Sequence, residues 1–253
     1  MKLIRFLLNN QEFYGNLTDD KIYILSGSIE EGFTSTDHVI CIEKVKLLSP
    51  VKPGKIVCVG LNYMDHIIES NEKVPSEPVI FMKPSTAVIG PDEGICYPVQ
   101  SHRVDYEGEL AIVIGKRGKN IKESEASSYI LGYTCANDVT ARDLQPSDGQ
   151  WIIAKGFDTF LPLGPCIHTD VDPNNLPIRT VLNGKIVQSS NTKHLLFKPN
   201  MLISYISSVM TLEPGDIILT GTTFGIGPMQ VDDIVSVEID GIGKLQNFVE
   251  GLE

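Results

Sequence analysis

The sequence predicts an α+β protein, predominantly β, with a small β-rich N-terminal domain over residues 1–50 and a larger domain over residues 51–253. Three observations carry that prediction. Short apolar runs bounded by Gly, Pro, Asn and Asp recur along the whole chain. Two alternating runs, "IRTVL" and "KIVQSSNT", are joined by Asn183-Gly184, the dipeptide suited to a two-residue hairpin turn. No strand–helix–strand alternation repeats, which argues against a doubly wound parallel sheet.

Taken in order, "KLIRFLL", "EFYGNL" and "KIYIL" read as three strands of the first unit. "SGSIEEGFTSTDH" reads as loop or a short helix. "LLSPVKPGK", with two prolines and a glycine, reads as a linker and sets the boundary near Pro50. Beyond it, "KIVCVGL" (55–61) is a buried strand, and "NYMDHIIES" (62–70) has helical spacing with Asn62 as its candidate N-cap. "PVIFMKP", "ELAIVIG" and "ILGYTCAND" read as strands and "SEASSYI" (124–130) as a short helix. "WIIAKGF" reads as an apolar strand carrying Lys155, and "KPNMLISYISSVM" as a helix. "GDIILTG" and "DIVSVEIDGIGKLQNFV" complete the β content.

A chain of 253 residues buries roughly 75% of the surface it exposes unfolded, so it folds without covalent staples. Its five cysteines are scattered and form no Cys-x-x-Cys pair, which fits reduced core thiols in the cytoplasm better than disulfides or structural zinc. A net charge of -11 with no cluster of Lys and Arg excludes a nucleic-acid partner. No apolar run approaches the ~18 residues of a membrane span, and the N-terminus lacks the pattern of a secretion signal.

The chemistry starts at "DYEGELAIVIG" (105–115), where two glutamates stand against an apolar strand. In a strand, Glu107 and Glu109 share a face, with Cα atoms about 7 Å apart. Two buried anions that close repel, so one takes up a proton or a cation sits between them. Asp138, at the end of "LGYTCAND", is a third carboxylate. Without His or Cys, such a set makes a hard oxygen site suited to Mg²⁺, Mn²⁺ or Ca²⁺. By spacing alone a solvated strand face is the better reading of the glutamates, and a turn or helix cap suits Asp138 equally well.

"VGLNYMDHIIE", "FMKPSTAVIGP", "HRVDYEGELAIVIG", "ILGYTCANDVTARDLQ", "DGQWIIAKGFDTFLPLGP", "LNGKIVQSSNT" and "LEPGDIILTGTTFGIGP" run in one order from Lys55 to Pro228. Together they resemble the fumarylacetoacetate hydrolase superfamily, in its acylpyruvase and hydroxyheptadienedioate isomerase-like branch. The resemblance implies a mixed β-sandwich/roll domain, a homodimer, and a Mg²⁺ enzyme (Mn²⁺ or Ca²⁺ also possible) acting on a small 2-keto or β-diketo acid. It implies that Glu107, Glu109 and Asp138 ligate the metal, that His66 and Glu69 activate a water, and that Lys155 stands near the substrate oxygens. It places Gln145, Gly221 and Thr222 against the substrate. The reaction expected is C–C cleavage through a metal-stabilised enolate. Decarboxylation, tautomerisation and isomerisation keep the same enolate, and a non-catalytic metal- or ligand-binding protein is the alternative of another class. Leu61 and Ile153 stand where arginines are frequent in the family, and Thr223 where proline is usual. Loss of those two cations points to a substrate with a small or apolar distal group, such as an acylpyruvate.

Overall fold

In the computed structural model, which describes residues 1–147 and 149–251, the chain opens as an antiparallel meander. β1 (Lys2–Leu8), β2 (Gln11–Thr18), β3 (Lys21–Ser28) and β4 (Gly32–Cys41) pair in turn, and β5 (Lys46–Leu48) returns onto β1. Asn9, Asn10 and Asp19 take the left-handed conformation at the first two turns, which short polar side chains tolerate. β4 corrects the expectation of loop or short helix in this stretch. None of its ten residues is buried, so no apolar alternation marks it; pairing with β3 makes it a strand.

The chain then runs through β6 (Ile56–Gly60), α1 (Met64–Glu69), β7 (Val79–Lys83), β8 (Val88–Ile89), β9 (Gly94–Tyr97) and β10 (Val104–Tyr106). There follow β11 (Gly108–Ile114), β12 (Ile130–Asn137), β13 (Thr140–Ala141), α2 (Ile152–Lys155) and β14 (Leu161–His168). The last third comprises the hairpin β15 (Pro177–Leu182)/β16 (Lys185–Asn191), α3 (Pro199–Val209), β17 (Ile217–Thr222) and β18 (Gly227–Met229). It ends with the hairpin β19 (Ile234–Ile239)/β20 (Gly243–Gly251). The main sheet has the order β4-β3-β2-β1-β14-β12-β11-β17-β6-β7, so the N-terminal meander extends it through β1 beside β14. A second sheet, β16-β15-β19-β20-β9, and a small third, β13-β10-β18, complete the predominantly β fold.

β11 sits at the centre of this arrangement, and all seven of its residues are buried because each face meets a different core. Leu110, Ile112 and Ile114 pack with Leu202, Ile203 and Ile206 of α3 and with Val237 and Ile239 of the second sheet. Ala111 and Val113 pack with Cys58, Leu161, Leu163 and Leu219. By strand alternation Glu109 belongs to the second of these faces, at the end where the apolar residues stop.

Other expectations are met or corrected locally. Asn183 and Gly184, both at positive φ, close the β15/β16 hairpin between Leu182 and Lys185 as expected. "WIIAKGF" is not a strand: Lys155 N–H bonds to Trp151 O and Gly156 N–H to Ile152 O, so Lys155 ends a single helical turn. Asn62 does not cap α1. It is fully buried, donating to Phe197 O (3.0 Å) and Thr220 O (2.7 Å) and accepting from Phe197 N–H (2.7 Å), and so ties the entry of α1 to β17.

Candidate active site

The chain changes sheets at Glu107. β10 belongs to the small sheet and β11 to the main one, and Glu107 occupies the single residue between them. Its own backbone is fixed on both sides: Asn137 Oδ1 accepts the Glu107 N–H (2.9 Å) and Glu107 O accepts the Asp138 N–H (2.8 Å). Gly108 lets Thr180 approach, since a Cβ there would lie 2.2 Å from its Oγ1. One residue later, a register shift between β11 and β17 accompanies Gly221, whose positive φ turns its N–H onto Glu109 Oε2 (2.6 Å). A side chain at Gly221 would also meet Asn62 Cβ at 2.8 Å. β12 pairs with β11 from Gly108↔Asn137 inward, which delivers Asp138 to the same end.

The three carboxylates thus converge: one oxygen from each of Glu107, Glu109 and Asp138 lies within 4.8 Å of the others, all in buried side chains. They line a cavity of about 480 Å³ together with His66, Glu69, Gln145, Lys155 and Thr222. That volume suits a small organic acid.

The surroundings of the three acids differ. Glu107 receives Lys155 Nζ (2.7 Å) and Nη2 of Arg142. Asp138 receives Lys155 Nζ (2.8 Å) and the fully buried Lys83 Nζ (2.6 Å). Glu109 receives only the Gly221 N–H, and among the described residues no cation pairs with it. Electrostatics follow this division. Burial pushes the Glu107 carboxyl up, but Lys155 and Arg142 outweigh it and hold the group well below the carboxylate range. Burial and the charges of Asp138 and Glu107 push Glu109 well above that range. Burial lowers Lys155, yet Asp138 and Glu107 hold it above the ordinary lysine value; at Lys83 burial wins and the value falls.

A divalent cation fits this donor set. The oxygens are hard and convergent, and Glu109 is a buried carboxylate with which, among the described residues, no cation pairs directly. The cations on Glu107 and Asp138 occupy only part of the carboxylates' acceptor capacity, since each oxygen carries two lone pairs.

Facing the acids, α1 carries His66 and Glu69 three residues apart, with Nδ1 3.2 Å from Glu69 Oε2. An ionised carboxylate only accepts, so this contact fixes the proton on Nδ1 and leaves Nε2 as a base. α1 has no side-chain cap at its start. It is held instead by Thr223 Oγ1 donating to Asp65 Oδ2 (3.0 Å) and by the Gly225 N–H donating to Glu69 (3.1 Å). Thr223 therefore acts here as a latch on α1.

All nine residues expected at the site border this cavity or hold a residue that does. Gly221 acts through Glu109, its N–H being committed there. The Thr222 hydroxyl donates to Gly108 O (3.0 Å) and accepts from Gln188 (2.9 Å), and Gln145 Oε1 accepts from Arg142 Nη1 (2.6 Å). Sequence reasoning missed Lys83, Arg142 and Arg103. The signals were present: a lysine ending the apolar strand "VIFMK", and arginines directly before "VDYE" and inside "TARD". Ile153, by contrast, is 67% exposed, so its lack of charge says little about the cavity.

The match to known proteins extends over the whole chain. The family model described as fumarylacetoacetate (FAA) hydrolase C-terminal matches residues 55–250, and one described as Rv2993c-like, N-terminal matches residues 1–50. The mitochondrial oxaloacetate tautomerase fahd2 of Xenopus laevis is 46% identical over 228 residues, covering 85% of this chain and 72% of that protein. The structure of a 5-carboxymethyl-2-hydroxymuconate delta-isomerase from Mycobacterium smegmatis superposes with TM-score 0.94 at 42% identity, covering all of both chains. That of a maleylpyruvate hydrolase from Sphingobium sp. SYK-6, in complex with manganese (II) ion and pyruvate, does so with TM-score 0.84 at 28% identity, again over all of both chains. Sequence, fold and site together establish that this chain belongs to the fumarylacetoacetate hydrolase family.

Proposed function

We propose that this protein is a Mg²⁺-dependent enzyme that moves a proton at the carbon next to the keto group of a small 2-oxo acid, interconverting keto and enol forms. The observation that carries the reading is the placement of an oriented base, His66 Nε2, on the same cavity as three convergent carboxylates of which one has no directly paired cation among the described residues. Glu107, Glu109 and Asp138 would hold the ion, with Mn²⁺ or Ca²⁺ as substitutes of the same donor preference. When bound, the ion supplies Lewis-acid polarisation of the keto oxygen.

The chain's own groups do the rest. Lys155, buried and held protonated by Glu107 and Asp138, adds a fixed positive charge where negative charge develops. His66 Nε2 takes the proton from carbon and delivers it to the enolate oxygen to give the enol, the reverse transfer restoring the keto form, while Glu69 keeps the imidazole in one tautomer and stabilises its cation. Phe81, Trp151 and Leu61 give one part of the cavity wall an apolar surface, beside which these charges act more strongly than in open water.

Tautomerisation is preferred over the C–C cleavage expected from the sequence because relatives above 40% identity are named as a tautomerase and an isomerase, whereas structures named as hydrolases stand at 35% and 28%. Cleavage is the second reading, favoured by the His66–Glu69 pair, which is equally able to deprotonate a water. The test presents oxaloacetate and acetylpyruvate to the purified protein with and without Mg²⁺ and identifies products. Metal-dependent keto–enol exchange of oxaloacetate is the result expected. Cleavage of acetylpyruvate at comparable rates would establish the second reading, and inactivity on every 2-oxo acid would sink both.

A further inference from the structure

Three cationic side chains line the cavity: Lys155, Arg142 and Arg103. Two of them are committed. Lys155 spans Glu107 and Asp138, and Arg142 places Nε on Asp105 (2.9 Å), Nη1 on Gln145 (2.6 Å) and Nη2 on Glu107. Arg103 differs. Its Nε and Nη2 fork onto the two oxygens of the fully buried Asp105, at 2.9 and 3.2 Å, which fixes the plane of the guanidinium. Its Nη1 has no partner among the described residues, and half of the side chain is exposed to the cavity and solvent. Asp105 does not depend on Arg103 for its own charge balance, because Arg142 also holds it.

Arg103 lies four residues before Glu107 along extended chain, which sets their Cα atoms about 13 Å apart at ~3.3 Å per residue. An arginine side chain covers much of that distance. Arg103 lines the same cavity as the triad but at a remove from it, where the far end of a short 2-oxo acid would lie if its keto-acid end sits at Glu107, Glu109 and Asp138. A planar, pre-oriented guanidinium recognises a carboxylate at that position.

We infer that Arg103 is the specificity-determining residue for the distal carboxylate of a 2-oxo dicarboxylic acid. The inference rests on the 2-oxo acid reading of the site, and it reverses the expectation of an apolar distal group drawn from Leu61 and Ile153. Those positions are not where this chain keeps its spare cation. The residue touches no reacting atom; it selects which acid is held.

The test uses two unbranched five-carbon acids, 2-oxoglutarate and 2-oxopentanoate, which share a keto-acid end and differ in the distal carboxylate. Calorimetric titration of the Mg²⁺-loaded protein should show 2-oxoglutarate binding at least about tenfold more tightly. Arg103→Met should abolish that preference while leaving 2-oxopentanoate binding and the melting temperature unchanged, and Arg103→Lys should restore part of it. With oxaloacetate as substrate, Arg103→Met should raise KM about tenfold with little change in kcat. A preference for 2-oxoglutarate that survives in Arg103→Met overturns the assignment and leaves the 2-oxo acid reading standing. Failure of the unaltered protein to bind either acid removes that reading and the assignment with it.

Discussion

The floor of the cavity and its lid are built in opposite ways. The floor is made where β11, β12 and β17 meet, and its acids are 1–5% exposed, held by buried lysines and by the backbone N–H of Gly221. The lid is a six-residue helix without a side-chain cap, attached by Asn62 at its entry, by the Asp65–Thr223 and Glu69–Gly225 bonds, and by a bridge between Tyr63 and Leu195. Charges that must not move relative to one another sit on the sheet. His66, the base of the proposed reaction, sits on a short helix held by a few bonds.

The sharpest test of this division is Glu109→Gln. It should abolish Mg²⁺ binding and lower activity by about 10⁴-fold, several kcal/mol of lost charge stabilisation. Because Glu109 is a buried carboxylate without a directly paired cation, the same change should leave the metal-free protein equally or more resistant to denaturant. Retained calorimetric binding of Mg²⁺ would break the assignment of the floor. Lys83→Met acts on the other side of the balance: it removes a fully buried partner of Asp138 and should cost about 3–5 kcal/mol in urea unfolding. A smaller loss than 1 kcal/mol would show that Lys155 alone suffices for Asp138.

His66→Ala should reduce turnover by about 10²–10⁴-fold while Mg²⁺ binding and stability stay near those of the unaltered protein. If metal affinity fell in parallel, lid and floor would not be separable. Smallest of all, Thr223→Val removes one hydroxyl from the lid's attachment and should weaken it by about 0.5–1.5 kcal/mol. That appears as a severalfold change in kcat/KM without a shift in melting temperature; an unchanged kcat/KM would show that Asp65 and Thr223 hold nothing that matters.

The floor was legible through the motifs around its three acids rather than through strand alternation, because Glu107 stands between β10 and β11, where the chain changes sheets. Glu107 and Glu109, two apart and flanked by an apolar run, are brought together with Asp138. The cations on these acids were not legible, since Lys83 and Arg142 become partners only through pairings between residues 35 to 55 positions apart. Two local errors have simple causes. "WIIAKGF" has the β-branched and aromatic content of a strand, yet its residues form a single helical turn beside the cavity, where Trp151 packs edge-on to Phe81 at 5.1 Å. β4 carries the opposite deception, a polar run held as a strand by its neighbour alone. In the lid, the His66–Glu69 spacing was readable but Asn62 was not: an Asn before a helix looks like a cap whether or not its amide reaches elsewhere.

β6 and β17 are the parallel neighbours of the main sheet, joined from Ile56↔Ile217 to Cys58↔Leu219. Both therefore leave the sheet in the same direction, one into Leu61 and the helix of His66, the other into the segment that contains Thr223 and Gly225. The helix of His66 and the segment that fastens it thus leave the sheet side by side from one seam, so the ties between them join close neighbours, like two pages bound at the same spine.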